Sequence, residues 1–161
     1  MNKAGCILIN KKLKKIGLVY RKNKNDYSFP KGHLEENETL SECAIRETIE
    51  ETRRECILTS NKEIGIIEYT NYEGKIKTHM FLAYDNGKTN KIINEKDKEE
   101  LVWVDFNKVE SILSYQNLKD FWNKIKETIN IQWNISKMDK SSHELSFPSK
   151  KICFFKNLRI K

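Results

Sequence analysis

"PKGHLEENETLSECAIRETIEETRREC", residues 30–56, packs eight glutamates into a chain whose formal net charge is +7. Only Lys31, Arg46, Arg53 and Arg54 oppose them, joined by His33 when it is protonated. Thr39 followed by Glu42 has the spacing of a capping box, which predicts a helix starting near Leu40. At 100° per residue, Glu47, Glu50 and Glu51 fall on one stripe, in line with Leu40, Cys43 and Ala44. Ile45, Ile49 and Thr52 lie opposite. A surface helix keeps its acids away from its apolar side; here the acids continue an apolar stripe, and both faces have something to bury. Like charges at these spacings each cost an isolated helix about 0.2–0.5 kcal/mol, and partial burial raises both the cost and the carboxyl pKa values. A divalent cation removes the conflict. Carboxylate oxygens suit Mg²⁺, which takes a few carboxylates, some water and substrate phosphate. The competing reading is a solvated helix in which Arg46 pairs with Glu42 and Glu50.

Outward from this helix, "AGCILIN" and "IGLVY" are apolar runs joined by "KKLKK" and predict a β-hairpin. "DYSFPKG" reads as a turn-rich approach to the glutamate segment. "EIGIIEYTN" and "KIKTHMFLAY" predict two more strands around the turn "NYEG". "LVWVDF" predicts another strand after the polar stretch "NKIINEKDKEE". Val109, Ile112 and Leu113, then Leu118, Phe121, Trp122, Ile125 and Ile129, have helical spacing with a break near Tyr115 to Asn117. The pattern is α/β of the α+β kind, hairpins and helices without βαβ repetition.

With 161 residues, three Trp, six Tyr and seven Phe, the composition fits one folded domain with a real core and excludes a disordered chain. No apolar run is long enough for a membrane helix, and Ala4 to Ile9 is too short for a secretory signal. Cys6, Cys43, Cys56 and Cys153 form no CxxC pair, which argues against a zinc site and fits reduced thiols in the cytoplasm. Residues 130–161 carry seven basic and two acidic side chains, so most of the positive charge lies there. The expected division is a domain over 1–129 and a basic extension over 130–161, with "MDKSSHELSFPSKK" as loop and "ICFFKNLRI" as a possible added strand. A basic tail is compatible with RNA. Nothing in the sequence favours more than a monomer or weak dimer.

Gly32, five residues, Glu38, seven residues, Arg46-Glu47, two residues and Glu50-Glu51 resemble the Nudix box, G-x5-E-x7-R-E-U-x-E-E-x-G-U, where U is a bulky aliphatic residue. Thr48 stands at an aliphatic position, Arg53 at the terminal glycine and Arg54 at the last aliphatic position. Arg53 is expected either to extend the helix by a turn or to strain its end. The resemblance to Nudix hydrolases implies a mixed sheet between helices and cleavage of a phosphoanhydride in a nucleoside diphosphate derivative, with Mg²⁺, or Mn²⁺ in its place, as cofactor. It implies Glu47, Glu50, Glu51 and the backbone carbonyl of Lys31 as metal ligands. It further implies Glu47 as ligand or base, Arg46 as the residue that orients the glutamates, Gly32 as structural, and Glu38 as the anchor of the loop.

The resemblance also implies a general base from the loop before the "W-V" strand, where Asp97, Glu99 and Glu100 are candidates and Asp97 is favoured. "FPKGHLEENET" with "ILSYQNLKDFW" is similar to the diadenosine tetraphosphate hydrolases. That implies Tyr115 beside an adenine, where stacking is worth about 1–3 kcal/mol, and Lys31, His33, Lys77 and Lys75 near the phosphate chain. The alternatives are a nucleotide or RNA 5′-end pyrophosphohydrolase and a catalytically silent nucleotide-sensing or RNA-binding module. His79 reads as structural, and His143 has no assigned role.

Overall fold

A computed structural model describes residues 1–90 and 99–141, with side chains as far as Asn134. The elements are β1 (Asn2–Asn10), β2 (Lys15–Arg21), β3 (Asp26–Ser28), β4 (Lys31–His33), α1 (Leu40–Thr52), β5 (Arg54–Leu58), β6 (Gly65–Asn71), β7 (Gly74–Thr89), β8 (Glu99–Asp105), α2 (Val109–Ile112) and α3 (Gln116–Ser141).

The hairpin β1–β2 forms as expected, and β7 lies parallel to β1 on its other side. β3 and β8 pair with β2, β4 pairs with β1, and β5 and β6 pair with β7. Side chains alternate across these strands. Ile7 and Ile9 of β1 join Leu118, Phe121 and Trp122 of α3 in one apolar cluster, while Ala4, Cys6 and Leu8 join Cys43 and Ala44 of α1 in the other. The result is the expected α+β Nudix-type layering, a mixed sheet with α1 on one face and α2–α3 on the other.

Thr39 caps α1 as its spacing predicts. Its side chain accepts from the Glu42 N–H at 3.2 Å, and Glu42 reaches back to the Thr39 N–H at 2.8 Å. Three local features depart from expectation, and a fourth decides between two alternatives. The "DYSFPKG" approach contains two short strands, β3 and β4, whose three residues each are too few to display a period. α1 does not run on past its box: Arg53 takes the left-handed conformation at φ 61°, its N–H bonds the Ile49 carbonyl at 2.8 Å, and the chain enters β5 at once. Arg53 thus does the turning that glycine does more cheaply. The break between helical segments falls at Leu113–Tyr115, two residues before the expected Tyr115 to Asn117. α3 continues through position 129 to Ser141, so the first residues of "MDKSSHELSFPSKK" are helical. "ICFFKNLRI" and His143 lie outside the described residues.

Candidate active site

The capped start of α1 fixes the direction in which its glutamates point. Arg46, about two turns beyond the cap, gathers them. Its Nε and Nη2 donate to the two Glu38 oxygens at 2.7 and 2.9 Å, its Nη1 to Glu47 at 2.8 Å and Glu50 at 3.3 Å, and its Nη2 to the His33 carbonyl at 2.9 Å. This fork holds the Glu38 carboxyl down at about 2. Glu38 in turn accepts from the Glu35 N–H at 3.1 Å, tying the loop before α1 to the helix.

Glu51 accepts from the Lys31 N–H at 2.9 Å, which docks α1 onto β4. Glu47 lies flat against Gly32: a Cβ built there would come within 2.0 Å of the Glu47 carboxyl carbon. Any side chain at 32 would push the carboxylate out of place. Burial lifts the carboxyl of Glu51 to about 7 and raises that of Glu47 as well. For Glu51, the Lys31 charge and N–H bond oppose the rise, while Glu47 and Glu99 add to it.

These two acids open onto a cleft of about 620 Å³, also lined by Lys31, His33, Arg21 and Tyr115. Tyr115, 44% exposed, stands in the break before α3 and donates its hydroxyl to buried Asp26. Asp26 also takes the Arg21 guanidinium in a two-point pair, with Nε at 2.7 Å. Burial works to raise the Asp26 carboxyl, but the bonds from Arg21 and Tyr115 outweigh it and hold the group below its ordinary value. The backbone fastens the same junction, since the Ser114 N–H donates to the Tyr27 carbonyl at 3.2 Å and the Tyr27 N–H to the Ser114 hydroxyl at 2.8 Å.

The NUDIX domain model matches residues 1–128. The chain belongs to the NUDIX family. Its members are pyrophosphohydrolases acting on acid anhydrides, generally with divalent metal ions. The fold is shared with a binary complex of the Caenorhabditis elegans Ap4A hydrolase (TM-score 0.67, 18% identity, 80% of this chain and 97% of that one). It is shared too with the MutT protein of Methanosarcina mazei (TM-score 0.64, 19% identity, 81% and 94%) and with the Escherichia coli dihydroneopterin triphosphate pyrophosphohydrolase (TM-score 0.58, 13% identity, 79% and 95%). No curated protein matches the sequence.

The donor chemistry of this NUDIX cleft suits a hard divalent cation. Two half-buried carboxylates face it with their ionised forms disfavoured, and oxygen is the donor throughout. Among the described residues no three acidic, cysteine or histidine side chains converge into a ready-made shell. Glu50 does not line the cleft, which presents Glu47 and Glu51, and water and phosphate commonly complete such a shell.

Of the residues singled out in the sequence, Lys31, Gly32, His33, Glu47, Glu51 and Tyr115 line one cleft. Asp97 lies outside the described residues. Glu99 sits opposite Arg21 in the β2–β8 pair, on the face that reaches the cleft, whereas exposed Glu100 pairs with Lys22 at 3.8 Å. Lys77 does not line the cleft. It neighbours Thr78, a cleft residue, along β7 and so faces the other way, where it pairs with Glu68 at 3.5 Å. Lys75 meets the same Glu68 at 3.2 Å. His79 bonds Glu63. The sequence reading missed Lys3, Arg21, Asp26 and Thr78. For Thr78 the signal was present, because Ile76, Thr78 and Met80 share one face of a strand whose other residues there are Lys75, Lys77 and His79.

Among the described residues no helix is long and apolar enough to cross a membrane.

Proposed function

We propose that this NUDIX enzyme hydrolyses nucleoside polyphosphates, with dinucleoside tetraphosphates cut asymmetrically, diadenosine tetraphosphate to ATP and AMP, as its preferred reaction. The observation that carries this reading is one cleft with the Glu47–Glu51 pair at one wall, Arg21, Lys31 and His33 beside it, and Tyr115 at its rim.

Glu47, Glu50 and Glu51, with the Lys31 carbonyl, would hold the cation, and Mg²⁺ is the proposed ion. When bound, it supplies charge neutralisation on the phosphate oxygens as the anhydride breaks. Arg46 keeps Glu47 and Glu50 aimed, Glu38 keeps Arg46 in place, and Gly32 leaves room for the Glu47 carboxylate. Lys31, Arg21 and His33 bind the phosphate chain and resist its repulsion from the acids. The Tyr115 face stacks on an adenine, with its hydroxyl fixed by Asp26. A carboxylate from the segment leading into β8 takes the proton of the attacking water. Asp97 is the proposed base, and Glu99 is its rival because its charge reaches Glu51.

The test is a substrate panel under saturating Mg²⁺: diadenosine tetraphosphate, dATP, GTP, ADP-ribose and a 5′-triphosphorylated RNA. The reading expects the highest kcat/KM for the dinucleotide, and preference for a mononucleotide or for RNA would refute it.

A further inference from the structure

Four strands of the sheet place a row of side chains along the cleft floor. His33 of β4 is opposite Lys3 of β1, Lys3 is opposite Thr78 of β7, and Thr78 is opposite Ile67 of β6. Residues directly opposite in paired strands share a face, and all four of these line the cleft. The next row has glycine at two of its positions, Gly5 and Gly65, where the chain and α3 come close. A Cβ at Gly65 would meet Phe121 at 2.7 Å. The His33–Lys3–Thr78–Ile67 row is therefore where the helical cover stops and the sheet surface opens.

Within this row the Thr78 hydroxyl stands out. Thr78 is 1% exposed, and its Oγ1 is buried with no hydrogen-bond partner. A hydroxyl in that state costs free energy unless something fills its bonding capacity. Its neighbour Lys3 carries an ammonium that reaches the Tyr69 hydroxyl at 3.3 Å and lies 6.0 Å from the Tyr69 ring centre, which leaves two of its three N–H donors for other partners. His33, on the other side of Lys3, leads to Gly32 and Glu47.

We propose that Lys3 and Thr78 form a second phosphate-binding subsite, which takes an oxygen of the substrate's polyphosphate chain at the end away from the glutamates. The proposal rests on the hydrolase reading above. Lys3 supplies charge, the Thr78 hydroxyl supplies one short-range donor, and Ile67 excludes water from the same spot. A lysine alone holds phosphate as an undirected point charge. The buried hydroxyl fixes where the oxygen lies, and so which phosphorus faces the acids.

Thr78→Val tests this, because it replaces the hydroxyl with a methyl at nearly constant volume. The expected result is a KM for the best nucleoside polyphosphate raised about tenfold, the scale of one hydrogen bond to a charged group. The inhibition constant of inorganic tripolyphosphate should rise in proportion, and the melting temperature should be equal or higher because an unpaired buried hydroxyl is gone. Thr78→Ser should restore both constants toward wild type. A lowered melting temperature with unchanged KM would make the hydroxyl structural and overturn the subsite. Raised nucleotide KM with an unchanged tripolyphosphate constant would overturn the phosphate assignment. If wild-type protein binds tripolyphosphate through Thr78 but hydrolyses no nucleoside polyphosphate, the hydrolase reading fails while the subsite stands.

Discussion

Glu51→Gln separates the electrostatic part of this account from the catalytic part. Burial holds the Glu51 carboxyl at about 7, against its usual 4.5. At about 1.4 kcal/mol per unit, ionised Glu51 destabilises the metal-free fold by up to about 3 kcal/mol. The sign follows from the raised value. The penalty is absent below pH 4.5, grows between 4.5 and 7, and is complete above 7. The glutamine variant escapes it but leaves the Lys31 ammonium without its counter-charge, which takes back part of the gain. In chelator at pH 8 the variant should therefore be more stable than wild type by about 1–2 kcal/mol, or about 3–6 °C in Tm for a domain of this size. At pH 5 the gap should fall below about 1 kcal/mol. Added Mg²⁺ should raise the wild-type Tm and the variant's much less, and turnover at saturating Mg²⁺ should fall at least about a hundredfold. Melting curves at both pH values, with and without metal, and one progress curve suffice. A variant less stable than wild type in chelator at pH 8 would refute the burial argument, and near wild-type turnover would refute the ligand assignment.

Tyr115→Ala should raise KM for adenine dinucleotides by an amount worth about 1–3 kcal/mol while leaving hydrolysis of small pyrophosphate substrates much less affected; equal loss on all substrates with a large drop in Tm would make Tyr115 a packing residue. Asp26→Asn should reproduce part of that KM effect, since it frees both Arg21 and Tyr115, and unchanged KM would show that the pair needs no tether. Asp97→Asn should lower kcat more than it raises KM, and the same pattern in Glu99→Gln with none in Asp97→Asn would move the base to Glu99. Arg53→Gly should stabilise the protein by about 0.5–1 kcal/mol by relieving a side chain held at positive φ, read as an upward shift in the denaturation midpoint; a loss would mean that the bond from Arg53 Nη1 to the Glu50 carbonyl outweighs the strain.

What was legible in the sequence is what depends on local spacing. The capping box placed the start of α1 at Leu40, the box offsets brought Gly32, Glu38, Arg46, Glu47 and Glu51 into register, and apolar runs located β1, β2, β6, β7 and β8. β3, β4 and β5 were not legible, because three to five residues carry no reliable period. The end of α1 was left between extension and a strained end, because an arginine performs a turn that the spacing assigns to glycine. The Arg21–Asp26–Tyr115 network joins residues up to 89 positions apart, which no local pattern encodes. Lys77 is absent from the cleft lining for a subtler reason. On a strand, one position separates a cleft residue from a solvent residue, and charge chemistry favoured Lys77 where strand parity favoured Thr78.

The central claim is metal-dependent, asymmetrical attack by water on a dinucleoside tetraphosphate. The most direct measurement is product analysis of diadenosine tetraphosphate hydrolysis in ¹⁸O-labelled water, with Mg²⁺ and with chelator. The account predicts equal amounts of ATP and AMP, with ¹⁸O in one of the two, and no products in chelator. Two equivalents of ADP, equal turnover without metal, or an intact dinucleotide under saturating Mg²⁺ would contradict it.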